Sequence, residues 1–446
     1  MQVVKELGIS PDMVEKIFFE HTIAEGMMPM VLDMASSEGL NLYDQVGERN
    51  YLDFFGFFAS NSLGMNHPKM RSDQAFLDRL LESALNKVTN SDIRTVHMAR
   101  FLDTFGRIAK PDYLPHAFFI SGGALAVENA LKTAFDWKVR KNFEKGYTRE
   151  VGHQVLHFKD SFHGRTGYTL SLTNTSDPRK TMYYPLFDWP RVSNPKIVFP
   201  LEDHLEDLIK RENLALEEVK RHFSERKDDI ACLIIEPIQG EGGDNHFRRK
   251  FLQSLKDLAH ENDALFIFDE VQTGVGMTGA FWAHQAIGVE PDIICFGKKT
   301  QVCGILAGPK IDEVELNVFR EGSRINSTWG GNLTDMVRFD RILEIIEEDD
   351  LVGNAVTGGD HLMNRLRQLA ENNPAVTNAR GRGLMCAVDL PSTEIRDRIL
   401  ERCYEEGLLI LGCGVESIRF RSPLTVTTAE IDAGLDILTS CIEGEV

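Results

Sequence analysis

Residues 264–304 read ALFIFDEVQTGVGMTGAFWAHQAIGVEPDIICFGKKTQVCG, and this stretch decides the fold. Residues 264–268 form a short, wholly apolar run. Between polar flanks, such a run reads as a strand buried on both faces of a parallel sheet. It stops at Asp269 and Glu270, where the carboxyl end of the strand should lie. Ligands of open α/β sheets bind at that edge. A second apolar run, 293–296, leads through Gly297 to Lys298. Taken singly, both residues have ordinary readings. An Asp at a strand end is commonly a cap, and a Lys-Lys pair commonly lies on the surface. Delivered together to one sheet edge, an acid and a lysine suit pyridoxal 5′-phosphate (PLP). The lysine would hold the cofactor covalently, and the acid would keep its pyridine nitrogen protonated.

The residues around the pair carry a resemblance. DEVQTG, TG, PDI and GKK follow in the order and spacing of the class III (ω-) aminotransferases, which this sequence resembles. In that family the cofactor lysine stands six residues after the Asp of PDI. Six past Asp292 is Lys298, not Lys299. Met277 departs from the Arg common there. The resemblance implies fold type I. That is an α/β domain with a mostly parallel central sheet flanked by helices, plus a smaller α+β domain built from both chain ends.

Further motifs lie outward from this centre. ISGGALAVE, at 120–128, joins an apolar run to a helical pattern. Glycines at a helix start let backbone N–H groups close on an anion, and the helix dipole adds attraction. On the family pattern, Gly123 and Ala124 would cradle the cofactor phosphate, and Leu125 stands where the family has an acid. In KDSFHGRT, at 159–166, Phe162 would stack on the pyridine ring, worth about 0.5–1.5 kcal/mol beyond its burial. Arg165 offers a planar fork for a carboxylate. His163 reads as structural. His153 and His157 share a strand face without a third ligand, so no metal is expected. In IIEPIQGEGG, at 234–243, Glu236 ends a strand near the Asp269 edge, and Glu241 sits in a Gly-rich loop. The family implies that Glu241 pairs with Arg419 of IRFRSPL, at 418–424. Arg421 would share that strand face, but the motif spacing favours Arg419. Gln272 would bond the cofactor's phenolic oxygen. Asn326 and Thr328, in NSTWGGN at 326–332, match a segment whose Thr reaches the neighbouring subunit's phosphate. That implies a homodimer with shared sites.

The 446 residues are 42% hydrophobic, enough for two or more domains. Helical patterns at 74–86, 124–142, 205–221 and 251–262 alternate with apolar runs at 117–120, 154–157 and 232–235. This is a doubly wound pattern. After 331 it gives way to long helices at 335–348 and 351–373, a strand at 383–389 and another near 417–420. The expected division is 1–66 and 331–446 for the small domain and 67–330 for the large PLP-binding one. Phe54, Phe55, Phe57 and Phe58 are too dense for an exposed loop and read as core, or as a substrate-pocket wall. A net charge of −19 argues against nucleic acid or an anionic membrane as partner. Seven scattered cysteines, with no CxxC, fit a reduced cytoplasmic protein. The N-terminus shows no long apolar run, and none elsewhere nears ~18 residues.

The resemblance implies transamination between a small-molecule amino donor and a keto acid, expected to be 2-oxoglutarate. SGGALAVENALK, FGKKTQVCG and INSTWGGN look most like the members acting on the terminal amine of L-lysine. Those acting on γ-aminobutyrate come second, followed by other ω-amine aminotransferases. An epimerase or aminomutase on the same fold, or a non-catalytic relative, are the further alternatives. The intact set Lys298, Asp269, Gln272 and Arg419 speaks against the last.

Overall fold

The computed structural model describes residues 8–23 and 26–445. Residues 1–7, which open the N-terminus read above as lacking an apolar run, lie outside the described residues. No helix among those described is long and apolar enough to cross a membrane.

A seven-stranded sheet forms the centre. Its spatial order is His116–Ile120, Cys303–Ala307, Ile293–Phe296, Leu265–Asp269, Ile230–Ile235, Gln154–Phe158 and Arg191–Val192. All its ladders are parallel except those of Cys303–Ala307, which runs antiparallel to both neighbours. The mostly parallel sheet expected from the sequence is therefore present. The antiparallel strand is an addition, hidden because CGILA directly follows the lysine turn and looks like its tail.

Strand alternation explains the two layers. Leu265, Ile267 and Ile234 pack with Ala130, Leu131 and Trp137 of the helix Gly123–Glu144. Phe266, Phe268 and Leu233 point the other way, into the core holding Leu252, Leu255 and Ala259 of Arg249–Glu261. Burial on both faces is why these strands read as unbroken apolar runs.

Both chain ends build the smaller part. The meander Leu32–Glu38, Asn41–Asp44 and Arg49–Asp53 gains Leu408–Leu409 as a parallel fourth strand. A second sheet runs in the order Thr377–Arg382, Met385–Asp389, Ser417–Phe420, Leu411–Cys413. The strand read at 383–389 is thus one arm of a hairpin. Its other arm, TNARGR, is too polar to register as a strand. The helix Val96–Ile108 was also not read. The aromatic cluster divides. Phe54 and Phe55 are buried, as the core reading expects, whereas Phe57 is half-buried and Phe58 is 52% exposed, so those two are not core.

The hairpin turn presses on the large sheet's loops. Leu384 N–H donates to Met277 O at 2.9 Å, and a side chain on Gly383 would meet that oxygen at 2.5 Å. The turn in turn lies under the helix Leu351–Asn372. A Cβ on Gly359 would stand 2.3 Å from the Gly383 backbone, whereas one on Gly358 finds 3.5 Å to Leu384. Gly359→Ala should therefore destabilise, by about 1–3 kcal/mol for forced overpacking. Gly358→Ala should be neutral or stabilising by up to ~1 kcal/mol, from helix propensity. Thermal melts of the two variants at equal cofactor loading check this. Equal midpoints would count against the close helix–turn contact.

Candidate active site

The carboxyl edge of the sheet encloses a cavity of about 300 Å³. Gly123, Ala124, Phe162, Arg165, Glu236, Glu241, Asp269, Gln272 and Lys298 all line it. Nine of the residues singled out in the sequence thus meet in one place. Arg419 stands directly behind Glu241, its Nη2 2.9 Å from Oε2. Asn326 and Thr328 are exposed and do not line the cavity. A larger open groove of about 1120 Å³, bordered by Tyr168, Trp189 and Arg226, contains none of these groups.

Lys298 follows its strand through Gly297 and takes a left-handed backbone, φ +57°. Its Nζ donates to Phe58 O at 3.0 Å. The carbonyl is aimed there by four consecutive left-handed residues, Gly56 to Ala59. Outside glycine that conformation costs about 1–2 kcal/mol per residue. Asp53 holds the turn by accepting the N–H groups of Phe55 and Gly56, at 3.0 and 2.7 Å. Burial lowers the Lys298 ammonium to about 8, and Arg419 and Arg421 push the same way. Lys299 is buried behind it, and its Nζ donates to Gln272 O at 3.2 Å.

Asp269 is 5% exposed at the strand end. Its Oδ1 accepts Val271 N–H at 3.1 Å, and its Oδ2 lies 2.8 Å from His163 Nδ1. His163 therefore belongs to the site, contrary to its structural reading from sequence. Spacing alone could not reveal that it faces Asp269, 106 residues away. Glu236 is buried too, and burial raises its carboxyl to about 7. Its oxygens accept Phe162 N–H at 2.9 Å and Gly240 N–H at 3.0 Å, so it ties the ring-bearing segment to the Gly-rich loop. Gln272 Oε1 accepts from Arg421 Nε and Nη2, at 2.9 and 2.8 Å. The amide NH₂ is what remains of Gln272 as a donor.

Burial acting on Glu241 would raise it, but Arg419 and Lys180 outweigh that and hold its carboxyl below the usual range. Lys180 Nζ lies 2.8 Å from Oε1, a contact no sequence pattern marked. Arg419 Nε and Nη1 are buried and have no partner among the described residues. Arg421, by contrast, is saturated by Asp244, Gln272 and Phe420 O. Of the two arginines, Arg419 is the one with donors to spare. Arg165 has no hydrogen bond or ion pair to another described residue and stands exposed at the cavity wall.

These groups fit PLP. The 22-residue helix Gly123–Glu144 opens at the cavity with no side-chain cap, leaving N–H groups for a phosphate. Gly123 packs closely on Val271, whose side chain a Cβ there would meet at 3.0 Å. Asp269, braced by His163, suits a protonated ring nitrogen. Lys298, with its lowered pKa, suits a carbonyl carbon.

Comparison with known proteins agrees. The family described as Aminotransferase class-III matches residues 22–442. The L-lysine-epsilon aminotransferase of Amycolatopsis lactamdurans is 51% identical over 96% of this chain and 95% of its own. The solved lysine aminotransferase of M. tuberculosis superposes with a TM-score of 0.96, at 50% identity, covering 98% of this chain and 100% of that one. The 4-aminobutyrate aminotransferase of Rattus norvegicus is more distant, 31% identical over 87% of this chain and 80% of its own.

In the cofactor-free protein, modification of Lys298 by an amine-reactive reagent, followed by peptide mapping, should rise with pH through a midpoint near 8. Only the neutral amine reacts, so a lowered pKa moves the rise to lower pH. A midpoint near the ordinary 10.5 would show that burial does not act on this amine.

Proposed function

The chain belongs to the class III aminotransferase family of PLP-dependent transaminases, and on that premise we propose that it moves the ε-amino group of L-lysine to 2-oxoglutarate. The products are 2-aminoadipate 6-semialdehyde and L-glutamate, formed in two half-reactions of ping-pong type. One observation carries this reading: Glu241 covers Arg419, a buried guanidinium with two unpartnered donors. The relatives that act on lysine, at about half identity, add support.

Bound at this site, PLP supplies an electron sink for the carbon bearing the reacting amine. The protein's residues do the rest. Lys298 would hold the cofactor, and its amine, when free, is placed to take a proton from the substrate carbon that bears the reacting amine. Asp269, steadied by His163, would keep a proton on the ring nitrogen. Phe162 would stack on the ring, Gln272 would bond its phenolic oxygen, and the backbone at Gly123 and Ala124 would hold the phosphate.

Two unlike substrates must use one cavity. Glutamate places its α-carboxylate beside the reacting carbon, where Arg419 binds it. Lysine, reacting at its far end, places a methylene there. An uncovered, buried guanidinium would then be costly. Glu241 covers it for lysine and withdraws for glutamate. Arg165 takes the carboxylate farther from the reaction: the α-carboxylate of lysine or the distal one of glutamate. γ-Aminobutyrate would use Arg165 alike but is shorter. Asn326 and Thr328 lie outside the cavity, so we assign them to the phosphate site of a partner subunit in a homodimer.

Glu241→Ala should slow the lysine half-reaction by roughly ten- to a hundredfold, the scale of one charge-assisted pairing. The glutamate half-reaction should suffer less. Single-turnover conversion of the PLP form by each donor is the measurement. Equal losses would refute the gate, and faster wild-type reaction with γ-aminobutyrate than with lysine would refute the substrate.

Thr328→Ala should leave the dimer intact but weaken PLP binding by roughly tenfold or more. Sedimentation and cofactor titration report the two effects separately. A monomer with full PLP occupancy would sink the shared site.

A further inference from the structure

A carboxylate that withdraws from a buried arginine is held best by a second cation, since Glu241 leaves a strong pairing and its side chain is only 29% exposed. Glu241 already has one. Its Oε2 accepts from Arg419 Nη2 at 2.9 Å, while its Oε1 lies 2.8 Å from Lys180 Nζ. The Lys180 ammonium also donates to Thr175 Oγ1 at 3.0 Å and lies 5.6 Å from the Phe162 ring centre. Its side chain is 12% exposed, so the pair is not a solvated surface contact.

The two cations are mounted differently. Arg419 sits in Ser417–Phe420, a strand paired on both sides, and its side chain is 3% exposed. Lys180 closes a single 3₁₀ turn, Pro178–Lys180, and the tyrosines just beyond it, Tyr183 and Tyr184, are exposed. One partner of the carboxylate is fixed by a sheet, and the other rides on an irregular segment. Among the described residues, Glu241 has no other charged partner in its hydrogen bonds.

We propose that Lys180 is a positioning residue of the Glu241 gate: it retains Oε1 when Oε2 releases Arg419, and so sets the balance between α-amino and ω-amino donors. The inference rests on the gate proposed above. With Arg419 covered, the carboxylate has two cations; with Arg419 uncovered, it has Lys180 alone. Removing Lys180 takes one of two partners from the covered state and the sole partner from the uncovered state. The equilibrium then moves toward covered, which serves lysine and penalises glutamate. This is opposite in sense to removing Glu241 itself.

The test is single-turnover reaction of the PLP-loaded enzyme with L-lysine and with L-glutamate, for wild type and the variants K180M, K180R and E241A. K180M should raise the half-saturating glutamate concentration by about tenfold, the effect of one charge-assisted bond. Its lysine half-reaction should stay within about threefold of wild type. K180R, which keeps the charge, should recover most of the glutamate side. E241A should show the reverse preference, losing more with lysine. If E241A slows both donors alike, the gate itself is wrong, and the role of Lys180 falls with it. If E241A behaves as stated but K180M slows both donors equally, or lysine more, Lys180 has no part in the gate. Should K180M not fold, K180R decides: a selective change on the glutamate side, smaller than tenfold, upholds the proposal, and loss of both donors alike overturns it.

Discussion

The buried ion pair between Arg421 and Asp244 is the constraint on which the site depends. Asp244 is fully buried and Arg421 is 1% exposed, and two guanidinium nitrogens reach both carboxylate oxygens. Removing either partner would strand a buried charge, at a cost of about 3–5 kcal/mol. The same guanidinium orients the Gln272 amide, and the Arg421 backbone N–H donates to Phe54 O at 2.9 Å. One residue thus joins the Gly-rich loop, the turn after Asp269 and the aromatic N-terminal segment. The glycines follow from that convergence. A Cβ on Gly242 would stand 1.9 Å from Asp160 O, and one on Gly240 would meet Gln272 at 2.4 Å. Only a chain without side chains there can pass between its neighbours.

Charge at this seam runs against the charge of the whole. The chain carries −19, yet Lys298, Lys299, Arg419, Arg421 and Lys180 crowd one region of the sheet edge. Net charge speaks to solubility, while the local field decides what binds. Burial lowers both Lys298 at the cavity wall and Lys299 behind it; Arg419 and Arg421, which cannot shed their protons, lower the first further, and Lys298 and Arg421 lower the second. Burial, helped by the permanent cations, therefore makes an amine easier to deprotonate at the point where a neutral amine is needed. They also leave the site suited to phosphate and carboxylates.

Much of this was legible in the sequence, for a definite reason. Strands buried on both faces write themselves as apolar runs, and the charged residues that end them mark the ligand edge. Asp269 and Lys298 could be found from residues 264–304 alone. The rest depended on long-range contact. His163 reads as one more buried histidine until the fold brings it to Asp269. Lys180 lies in a polar, irregular stretch with no periodicity, and only the tertiary structure sets it against Glu241. The choice between Arg419 and Arg421 rests on motif spacing; in the structure Arg421 is filled by Asp244 and Gln272, whereas Arg419 meets Glu241. The hairpin arm at Thr377–Arg382 was missed because its polar residues answer to Asp389, Asp244 and Ser417 rather than to an apolar core.

Rigidity is distributed according to task. The groups that must hold one geometry, Asp269 and Arg421, end or follow buried strands and have several partners each. Lys298 is likewise fixed at a strand end, by a backbone turn costly to form and held by Asp53. The groups assigned to sort substrates are placed otherwise. Glu241 lies in a loop with its side chain 29% exposed, and Arg165 is exposed and has no described partner. In the proposed reaction, the chemistry common to both donors tolerates little displacement, since small misplacements are costly in rate. Recognition of two unlike substrates requires displacement. On the proposed reading, the first demand falls on the sheet, while the movable part of the second, Glu241 and Arg165, falls on its loops and leaves Arg419 fixed in a strand.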